Sequence, residues 1–592
     1  MSHMEVPEDL RDGNPDNFSV SLASISLQNG AILKPPPVGV TAIVGGNNVG
    51  KSTLLRQIAD VSSRAASGIP NPARWQLVTD VRFNLGGTAR DCTAWLTSNV
   101  GARSSDGILY FGTGGQNTTH EHHVRELFRM PPTQKDKLSS LRPLLMLHAD
   151  PWQRAGEISP QDMRESVDTP PSSAIHRLQD SVAIMSELRE ICREIFRVDL
   201  TLDTLARLIQ LRVGVVSSPP PPVDAVTAEY RKELADLPLL LEQGDGMKSL
   251  IGLVLPLITA AHRIVLIDEP EAFLHPPQAS ALGRVIGDLA QRRGIQVILA
   301  THDKNLLTGL LSSGTQMSVA RLDRDLSAKT HAHQLAVDDV RALWADPLLK
   351  YTNVLDALFH RVTIIAEADQ DCRFYAAALD EYSPSSEIPI PPNDVLFIPS
   401  YGKSTMHKVA KILRAIFVPV ASVPDIDILN DEANISRLVR AHGADWGEFQ
   451  GEYRIATQPF RQGRDPATVG DVLSAIRAVF TGREAERYGP DAKREVIAQL
   501  RSQDSPWLTL KRFGQAAFEG QAAVAGKKLL ERLDSIGIVL VKVGELERFA
   551  PQLGVAKGPN WLSAALAAGA HRERAVRDHI ERCLSVLDGE TE

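Results

Sequence analysis

The chain has 592 residues, of which 43% are hydrophobic and 23% are charged, and its formal net charge is −8. This length exceeds what one hydrophobic core supports and predicts two to four domains. No apolar run reaches about 18 residues, so no membrane span is predicted. The negative charge excludes a global attraction to nucleic acid, and four widely spaced cysteines disfavour a disulfide framework or zinc site and fit a reducing cytoplasm.

The first elements along the chain are predicted strands. Residues 1–17 are expected to be a tail that begins with a tag remnant, MSHM. An alternating apolar stretch from Phe18 to Leu27 predicts an early pair of strands. The short apolar run Val38–Val44 then predicts a buried strand that ends in glycines.

The same domain continues through alternating strands and helices. Strand-like runs occur at Ile264–Ile267 and Val297–Ala300, with helical patterns between and after them. This alternation predicts an α/β domain with a largely parallel sheet over residues 18–350. Residues from about 120 to 235 lack a clear pattern and are assigned to an insertion or dimerisation region.

The segment after the strand at 38–44 matches the phosphate-binding pattern GxxxxGK[ST] and opens a helix. Glycines let backbone amides surround phosphate groups at the positive end of that helix. Lys51 would reach the β- and γ-phosphates, and Ser52 would hold Mg²⁺. We therefore predict ATP binding by Gly45, Asn47, Asn48, Gly50, Lys51, Ser52 and Thr53.

A later apolar strand ends in two acids, Asp268 and Glu269, followed by a proline. Asp268 would bind Mg²⁺, and Glu269 would orient or deprotonate the water that attacks ATP. Helix capping is the alternative for acids at a strand end. Their position after a phosphate-binding loop favours the catalytic interpretation.

Two further motifs resemble those of ABC ATPases. Residues 243–249 resemble the signature motif, which binds the γ-phosphate of ATP held by a partner subunit. His302 follows the next strand, where ABC enzymes have a switch histidine. Because the signature acts across an interface, ATP hydrolysis predicts a homodimer or a larger homo-oligomer. The signature residues assigned to ATP are Gly244, Gly246 and Ser249.

A second α/β pattern predicts another domain over residues 351–550, with a helical insertion at about 433–535 and a helical tail at 551–592. Its order of strands and helices is typical of one domain interrupted by the insertion. The predicted strands are Val362–Ala366, Val395–Pro399, Val418–Val423 and Ile538–Val543.

Acids follow two of these strands. Glu367 ends the first strand, Asp371 comes four residues later, and Asp425 and Asp427 follow the third. Parallel strands end at the same edge of a sheet, so these carboxylates should converge, and hard divalent cations make such clustering tolerable. Two Mg²⁺ or Mn²⁺ ions could then activate water and stabilise a leaving oxygen of a phosphodiester. The alternatives are solvated turn aspartates and, for Asp371, a helix cap.

Another glycine turn also resembles a phosphate-binding loop. Gly402-Lys403-Ser404-Thr405 ends in the right residues, but Phe397 stands where the first glycine is required. We therefore predict an ordinary turn between a strand and a helix, whose helix N-terminus could still touch phosphate.

Together these motifs resemble the OLD (overcoming lysogenization defect) family of ATPase–TOPRIM nucleases, which includes the ATPase subunit of Gabija-type antiphage systems. The resemblance extends from about residue 18 to residue 550. It implies an N-terminal ABC-type ATPase followed by a TOPRIM domain with a helical insertion. It also implies metal-dependent cutting of DNA in antiphage defence, and it raises a second defence protein as a partner.

The resemblance also implies roles for residues of the second domain. Glu367 corresponds to the first TOPRIM glutamate and Asp371 to the acid that follows it. Asp425 and Asp427 correspond to the Asp-x-Asp pair. The family also has a lysine and acids in a segment near the end of this domain, which the segment from Lys542 to Glu547 resembles. This implies that Lys542 steadies the charged transition state and that Glu545 is a further metal ligand.

Other functions stay open at this point. One is an RNA- or tRNA-directed nuclease, and another is an ATP-switched sensor or scaffold whose TOPRIM domain does not cut. A topoisomerase is disfavoured because it needs a strand-transfer tyrosine in a further domain. A transporter ATPase is disfavoured because the joined domain has a catalytic character.

Overall fold

The chain forms two compact units, residues 1–350 and residues 351–592. In the part of the chain that is described, no helix is both long and apolar enough to cross a bilayer. The structure is a computed structural model that describes residues 6–63, 76–112, 118–130, 137–166, 169, 171–222, 224–259, 262–324, 329–345, 353–382, 390–461, 468–483, 487–501, 506–555 and 558–586.

The described strands of the first unit are β1 (Ser19–Leu27), β2 (Ile32–Leu33), β3 (Gly39–Val44), β4 (Val78–Gly86), β5 (Ala102–Ser105), β6 (Ile108–Phe111), β7 (Thr119–His120), β8 (Met146–Ala149), β9 (Gln161–Asp162), β10 (Leu200–Asp203), β11 (Leu208–Val213), β12 (Ile264–Asp268), β13 (Gln296–Ala300), β14 (Met317–Arg324) and β15 (Thr330–Leu335). The largest sheet has the order β15-β14-β3-β13-β12-β8, and three smaller sheets have the orders β2-β1-β4, β5-β6-β7 and β10-β11-β9.

The large sheet brings three strand ends together. β8, β12, β13, β3 and β14 run parallel, and β15 is antiparallel at the edge. β3 and β13 are buried along their whole length, as the apolar runs predict for a parallel sheet covered on both faces. Asp268 lies opposite Ala300, and Ala300 lies opposite Ile43. The chain segments that leave β12, β13 and β3 are therefore neighbours.

The first apolar stretch forms one strand and not the expected pair. Its register against β4 shifts between Leu22 and Ser24, which marks a β-bulge. The extra residue changes the phase of the alternation, so both Leu22 and Ile25 are buried. The interruption in the apolar pattern therefore reflects a bulge within a continuous strand.

Helices pack on the large sheet and alternate with the short strands β5 to β11 between β4 and β12. Four of them matter for the site: those that begin at Lys51, Arg154, Asp245 and Lys304. The described α-helices of the first unit are Lys51–Ser63, Ala89–Asn99, Glu121–Arg129, Arg142–Leu145, Arg154–Glu157, Ala174–Asp180, Val182–Phe196, Ala228–Asp236, Asp245–Ile258, Pro276–Arg293, Lys304–Ser312 and Val337–Trp344.

The second unit contains the parallel strands β16 (Val362–Ala366), β17 (Val395–Pro399) and β18 (Val420–Val423), in the order β17-β16-β18. The expected fourth strand is present as two isolated parallel bridges, at Ile538 and Val541. Pro424 lies between their partners, Ser422 and Asp425, and proline has no N–H to donate to a ladder.

The helices of the second unit surround this sheet and form the insertion between β18 and the bridges. A cluster that includes Phe374, Tyr375 and Trp561 forms the core on one face of the sheet. The described α-helices are Asp369–Tyr382, Lys403–Ala415, Glu432–Ala441, Gln450–Arg461, Val469–Phe480, Pro490–Arg501, Pro506–Phe513, Gly520–Ser535, Pro559–Ala567 and Arg574–Leu584.

A buried histidine ties β18 to the turn before the bridges. His442 Nδ1 lies 2.8 Å from the carbonyl oxygen of Ile536, and its Nε2 lies 2.8 Å from Ser422 Oγ. Because a carbonyl only accepts, Nδ1 donates to it, and Nε2 accepts from the Ser422 hydroxyl. Burial lowers the pKa of His442 to about 3, and the positive charge of Arg414 acts in the same direction. The imidazole is therefore neutral in the folded protein near neutral pH.

Candidate functional site

The phosphate-binding loop joins β3 to helix 51–63 and has the backbone that its sequence requires. Gly45 has a φ of +145°, and a Cβ there would lie 2.2 Å from the carbonyl oxygen of Leu322, so only glycine fits. Lys51 is buried, and its ammonium donates to the carbonyl oxygens of Gly45 (2.9 Å) and Gly46 (2.7 Å). The lysine therefore folds back over the loop, as a phosphate-binding lysine must.

The serine after Lys51 contacts the acid that ends β12. Ser52 Oγ donates to Asp268 Oδ1 at 3.1 Å. Burial raises the pKa of Asp268, although the hydrogen bond from Ser52 opposes that shift. Burial also lowers the pKa of Lys51, against the attraction of Glu269, Glu271 and Asp268. A hydroxyl and a carboxylate at this separation are hard oxygen ligands of the kind that Mg²⁺ prefers, so the residues fit the predicted cofactor.

A pocket of about 1490 Å³ lies against the loop. This exceeds the roughly 300–1,000 Å³ of common ligand pockets, so it has room for a nucleoside triphosphate. The turn between β1 and β2 and the ends of the β14–β15 hairpin form other parts of its wall. The sequence-predicted residues in its lining are Asn47, Asn48, Gly50, Lys51, Ser52, Thr53 and Glu269.

Glu269 and His302 lie side by side beyond β12 and β13. His302 Nδ1 is 3.6 Å from Glu269 Oε1 and 3.4 Å from Glu271 Oε1. Glu271 is buried, and its Oε1 accepts from the Thr301 hydroxyl (2.7 Å) and the His302 amide (2.9 Å). Burial raises the pKa of Glu271, while these hydrogen bonds oppose the shift. Glu271, which the sequence motifs did not single out, therefore fixes the backbone of His302 beside Glu269.

A buried arginine joins the signature segment to β12. Arg154 is 1% exposed, and its guanidinium donates to Ser249 Oγ at 3.1 Å. It also donates to the carbonyl oxygens of Asp268 and Glu269, at 3.1 Å for the latter. Burial lowers the pKa of Arg154 to about 10, against the attraction of the nearby acids. None of the three predicted signature residues is part of the described pocket lining. They are Gly244, Gly246 and Ser249.

In the second unit, three acids meet at the carboxyl edge of the parallel sheet. Glu367 follows β16, and Asp425 and Asp427 follow the neighbouring β18. Each offers an oxygen within 4.8 Å of the others. The Asp425 amide donates to Glu367 Oε1 at 2.9 Å, which fixes the orientation of the glutamate. We call Glu367, Asp425 and Asp427 the carboxylate cluster.

Asp371 lies outside the carboxylate cluster. It is buried in the first turn of helix 369–382, and its Oδ2 accepts from the Ala368 amide at 2.9 Å. An acid that accepts from an otherwise unpaired amide at a helix N-terminus is a capping interaction. The geometry therefore matches the capping alternative for Asp371 more closely than the ligand role.

Two lysines lie among the carboxylates: Lys403, which the sequence predicts in an ordinary turn, and Lys511, which no motif contains. Lys403 pairs directly with Asp427, and its Nζ is 3.6 Å from Glu367 Oε1. Lys511 Nζ is 3.7 Å from Asp427 Oδ2 and 3.4 Å from Glu545 Oε2. Burial alone would lower the pKa of Lys511, but the surrounding carboxylates outweigh it and raise the pKa. Lys511 thus links Glu545 to Asp427 of the carboxylate cluster.

Lys542, to which the resemblance gave a role in the transition state, forms an ion pair with Asp534. Its Nζ is 3.6 Å from Asp534 Oδ2. The turn after helix 506–513 packs directly on the backbone of Lys542. A Cβ on Gly514 would lie only 2.0 Å from the Lys542 carbonyl oxygen. This close packing fixes the end of that helix, which carries Lys511, against the segment that carries Lys542 and Glu545.

The donor set of the carboxylate cluster fits a divalent cation. Three carboxylates within 4.8 Å repel one another unless positive charge lies among them. Carboxylate oxygens are the ligands that Mg²⁺ and Mn²⁺ prefer, and Asp425 is only 3% exposed, which limits screening by water. The residues that would hold the ion are Glu367, Asp425 and Asp427.

Comparison with known families identifies part of the first unit. Residues 153–308 match the family model described as "AAA domain, putative AbiEii toxin, Type IV TA system". The matched segment contains the signature, the acids that end β12 and His302, and the phosphate-binding loop precedes it. The first unit therefore contains an ATPase-type P-loop domain. No curated protein matches the chain.

Solved structures of SMC heads are similar to about half of the chain. The SMC head bound to the C-winged helix domain of ScpA is 10% identical with a TM-score of 0.32, covering 53% of this chain and 97% of that one. The SMC head domain from Thermotoga maritima is 14% identical with a TM-score of 0.27, covering 54% and 99%. A third, derived from Pyrococcus furiosus, is an Smc head with an extended coiled coil bound to the C-terminal domain of ScpA. It is 9% identical with a TM-score of 0.29, covering 55% and 98%.

Proposed function

We propose that this chain is an ATP-controlled, divalent-metal-dependent nuclease that joins an ABC-type ATPase to a TOPRIM domain of the OLD kind. The observation that carries the nuclease assignment is the meeting of the carboxylate cluster with Lys403 and Lys511 at one edge of a parallel sheet. Cleavage of a phosphodiester needs both cation ligands and positive groups near the charge that develops on the phosphate. DNA is the proposed substrate, and the antiphage role follows from the resemblance alone. The proposed cytoplasmic location follows from the widely spaced cysteines, which fit a reducing compartment.

In the ATPase, each proposed role rests on a contact within the first unit. Lys51 holds the phosphates, and Ser52 and Asp268 hold Mg²⁺, which would neutralise phosphate charge when bound. Glu269 accepts a proton from the attacking water or orients it. His302, fixed next to Glu269 by buried Glu271, would contact the transferred phosphate when ATP is bound.

Hydrolysis is proposed to occur in a homodimer. The signature residues lie at the start of helix 245–258. ABC signature motifs act on ATP that is held by a partner copy. Arg154 bonds both Ser249 and the backbone of Asp268 and Glu269. A displacement of the signature helix is therefore transmitted to the backbone that carries the acids of the same subunit.

In the nuclease, a divalent ion held by the carboxylate cluster would polarise a phosphodiester. The chain's own groups shape that site. The Asp425 amide orients Glu367, and Asp371 holds the first turn of the helix that follows. Lys511 places positive charge beside Asp427 and Glu545, and it would stabilise charge that develops on a phosphate held at the cluster.

The decisive experiment incubates the purified full chain with plasmid, linear DNA and tRNA, with Mg²⁺ or Mn²⁺ and with or without ATP. We expect DNA cleavage that disappears with chelator and in Glu367→Gln, while ATPase activity persists in that variant. Asp369→Asn is the matched control, because this substitution removes an equal charge two residues from Glu367. The Asp369 side chain is 56% exposed. Failure of the wild type to cut DNA or RNA under every nucleotide condition would overturn the assignment.

The same experiment separates the other candidates. Cleavage of tRNA but not of DNA would replace DNA with RNA as the substrate. A sensor or scaffold without nuclease activity is supported by one observation, the ion pairs that Lys403 and Lys511 make with the acids. Such pairs could stabilise the fold without metal. ATPase activity with no cleavage and no Mn²⁺ binding would establish that alternative.

ATP is proposed to regulate cutting without supplying energy for it, because phosphodiester hydrolysis needs no nucleotide energy. Cutting should therefore respond in the same way to ATP in Glu269→Gln and to a non-hydrolysable analogue in the wild type. Cleavage measured against ATP turnover provides the check. The proposal would be contradicted if the cleavage rate were proportional to the rate of ATP hydrolysis and if no cutting occurred either with the analogue or without nucleotide.

A further inference from the structure

We infer that Lys403 competes with a divalent cation for the carboxylates of Glu367 and Asp427, and thereby sets the metal concentration at which the site becomes active. This inference rests on the proposed metal-dependent nuclease. It adds an internal cation that belongs to the chain and opposes metal binding.

The contacts of Lys403 identify the competition. Its ammonium pairs with Asp427 and lies 3.6 Å from Glu367 Oε1, and both acids belong to the carboxylate cluster. The three side chains are only 17–23% exposed, so water screens their charges weakly. An ammonium and a divalent ion on the same oxygens repel each other strongly at such distances. Metal binding therefore requires Lys403 to move away.

The backbone beneath Lys403 stays in place during this exchange. Ser400 donates to the Ala366 carbonyl through its amide (2.8 Å) and its hydroxyl (3.0 Å), and the Gly402 amide donates to the Glu367 carbonyl at 3.2 Å. The turn that carries Lys403 is thus tied to the end of β16. Movement is left to the lysine side chain, which has a flexible four-carbon stem. After displacement, the ammonium stays tethered within reach of a phosphate at the metal.

Lys511 is not an equivalent competitor. It also approaches Asp427, but Glu545 lies closer to it, at 3.4 Å against 3.7 Å. When a metal takes Asp427, Lys511 keeps Glu545 as a partner. Both acids within ion-pair distance of Lys403, in contrast, are proposed metal ligands. The exchange between ammonium and metal is therefore specific to Lys403.

Mn²⁺ binding to the full chain, measured by titration calorimetry, tests the inference without relying on cleavage. Lys403→Met should bind Mn²⁺ about five- to thirtyfold more tightly than the wild type, the factor that corresponds to one modest ion pair. Lys403→Arg keeps the charge and should leave the affinity unchanged. Lys408→Met is the matched control, since Lys408 is an exposed lysine on the same helix. Binding of a DNA oligonucleotide in Ca²⁺ should weaken in Lys403→Met, because the displaced ammonium no longer contacts phosphate.

The outcomes separate this inference from the function on which it rests. If the wild type binds Mn²⁺ through Glu367 and Lys403→Met binds it no more tightly, the competition is refuted and the metal site stands. If neither the wild type nor Lys403→Met binds Mn²⁺, both proposals fail. Thermal unfolding checks that the variants fold, and Lys403→Gln replaces Lys403→Met if the latter does not.

Discussion

Replacement of Arg154 by methionine tests the proposed link between the signature helix and the acids of β12. The variant loses the donor to Ser249 Oγ and to two carbonyl oxygens at the end of β12. Hydrogen bonds from a charged donor contribute about 1.5–3 kcal/mol each. Burial of the guanidinium, which lowers its pKa to about 10, offsets about 3 kcal/mol of this gain. We therefore expect the free energy of unfolding of the first unit to fall by about 3 kcal/mol.

The effect on ATP hydrolysis should exceed the effect on ATP binding. Lys51 and Ser52 do not contact Arg154, so nucleotide affinity should change little. The backbone of Glu269, in contrast, loses its anchor, and a misplacement of about 1 Å can reduce turnover about a hundredfold. Steady-state ATPase assays, fluorescent-nucleotide binding and thermal unfolding measure the three quantities separately.

The control for this prediction is Arg263→Met. Arg263 precedes β12 at the opposite end from Asp268, about 16 Å away for five extended residues. Its guanidinium donates to the Phe18 carbonyl oxygen at 3.1 Å and stacks on Trp95 at 5.2 Å. This variant should lose stability while keeping turnover. Equal turnover in the Arg154 and Arg263 variants would refute the proposed coupling.

Three further predictions follow from the two sites and the core. Glu269→Gln should retain ATP binding and lose about a hundredfold in turnover, measured by phosphate release, and unchanged turnover would remove Glu269 from its role. Asp371→Ala should reduce stability by about 1 kcal/mol and leave Mn²⁺ affinity intact, unlike Glu367→Gln, and loss of Mn²⁺ binding would make Asp371 a ligand. Below about pH 6.5, His442 binds a proton in the unfolded protein but stays neutral in the folded protein. As the pH falls below this value, the free energy of unfolding of the wild type should therefore decrease by about 1.4 kcal/mol per pH unit because of this group. Urea unfolding at pH 7.5 and pH 5 should show a smaller fall in His442→Gln, and identical falls would contradict the assigned burial effect.

The nucleotide site was largely predictable because its chemistry constrains neighbouring residues in the sequence. A strand, a glycine turn and a helix N-terminus must follow one another, so Gly45, Lys51 and Ser52 are recognisable together. The acids of the carboxylate cluster were predictable for a related reason. Glu367 and Asp425 each end a buried strand, and parallel strands end at one edge.

The residues that were missed depend on contacts between distant segments. Arg154 lies in a stretch without a motif, and it reaches β12 only because its short helix packs on Gly252, where a Cβ would lie 2.1 Å from the Arg154 carbonyl oxygen. Lys403 stands in a turn that lacks the glycine of a phosphate-binding loop. Lys511 lies in the helical insertion, 84 positions after Asp427. Sequence spacing carries no signal for such pairings.

The mutual packing of Gly514 and Gly544 has a consequence for protein engineering. A Cβ on Gly514 would lie 2.0 Å from the Lys542 carbonyl oxygen, and one on Gly544 would lie 2.1 Å from the Lys511 carbonyl oxygen. Helix 469–480, farther out in the insertion, buries none of its described side chains. Combinatorial libraries could therefore diversify the exposed positions of that helix, whereas both glycines must stay fixed as the attachment point that keeps Lys511 in register with its acids.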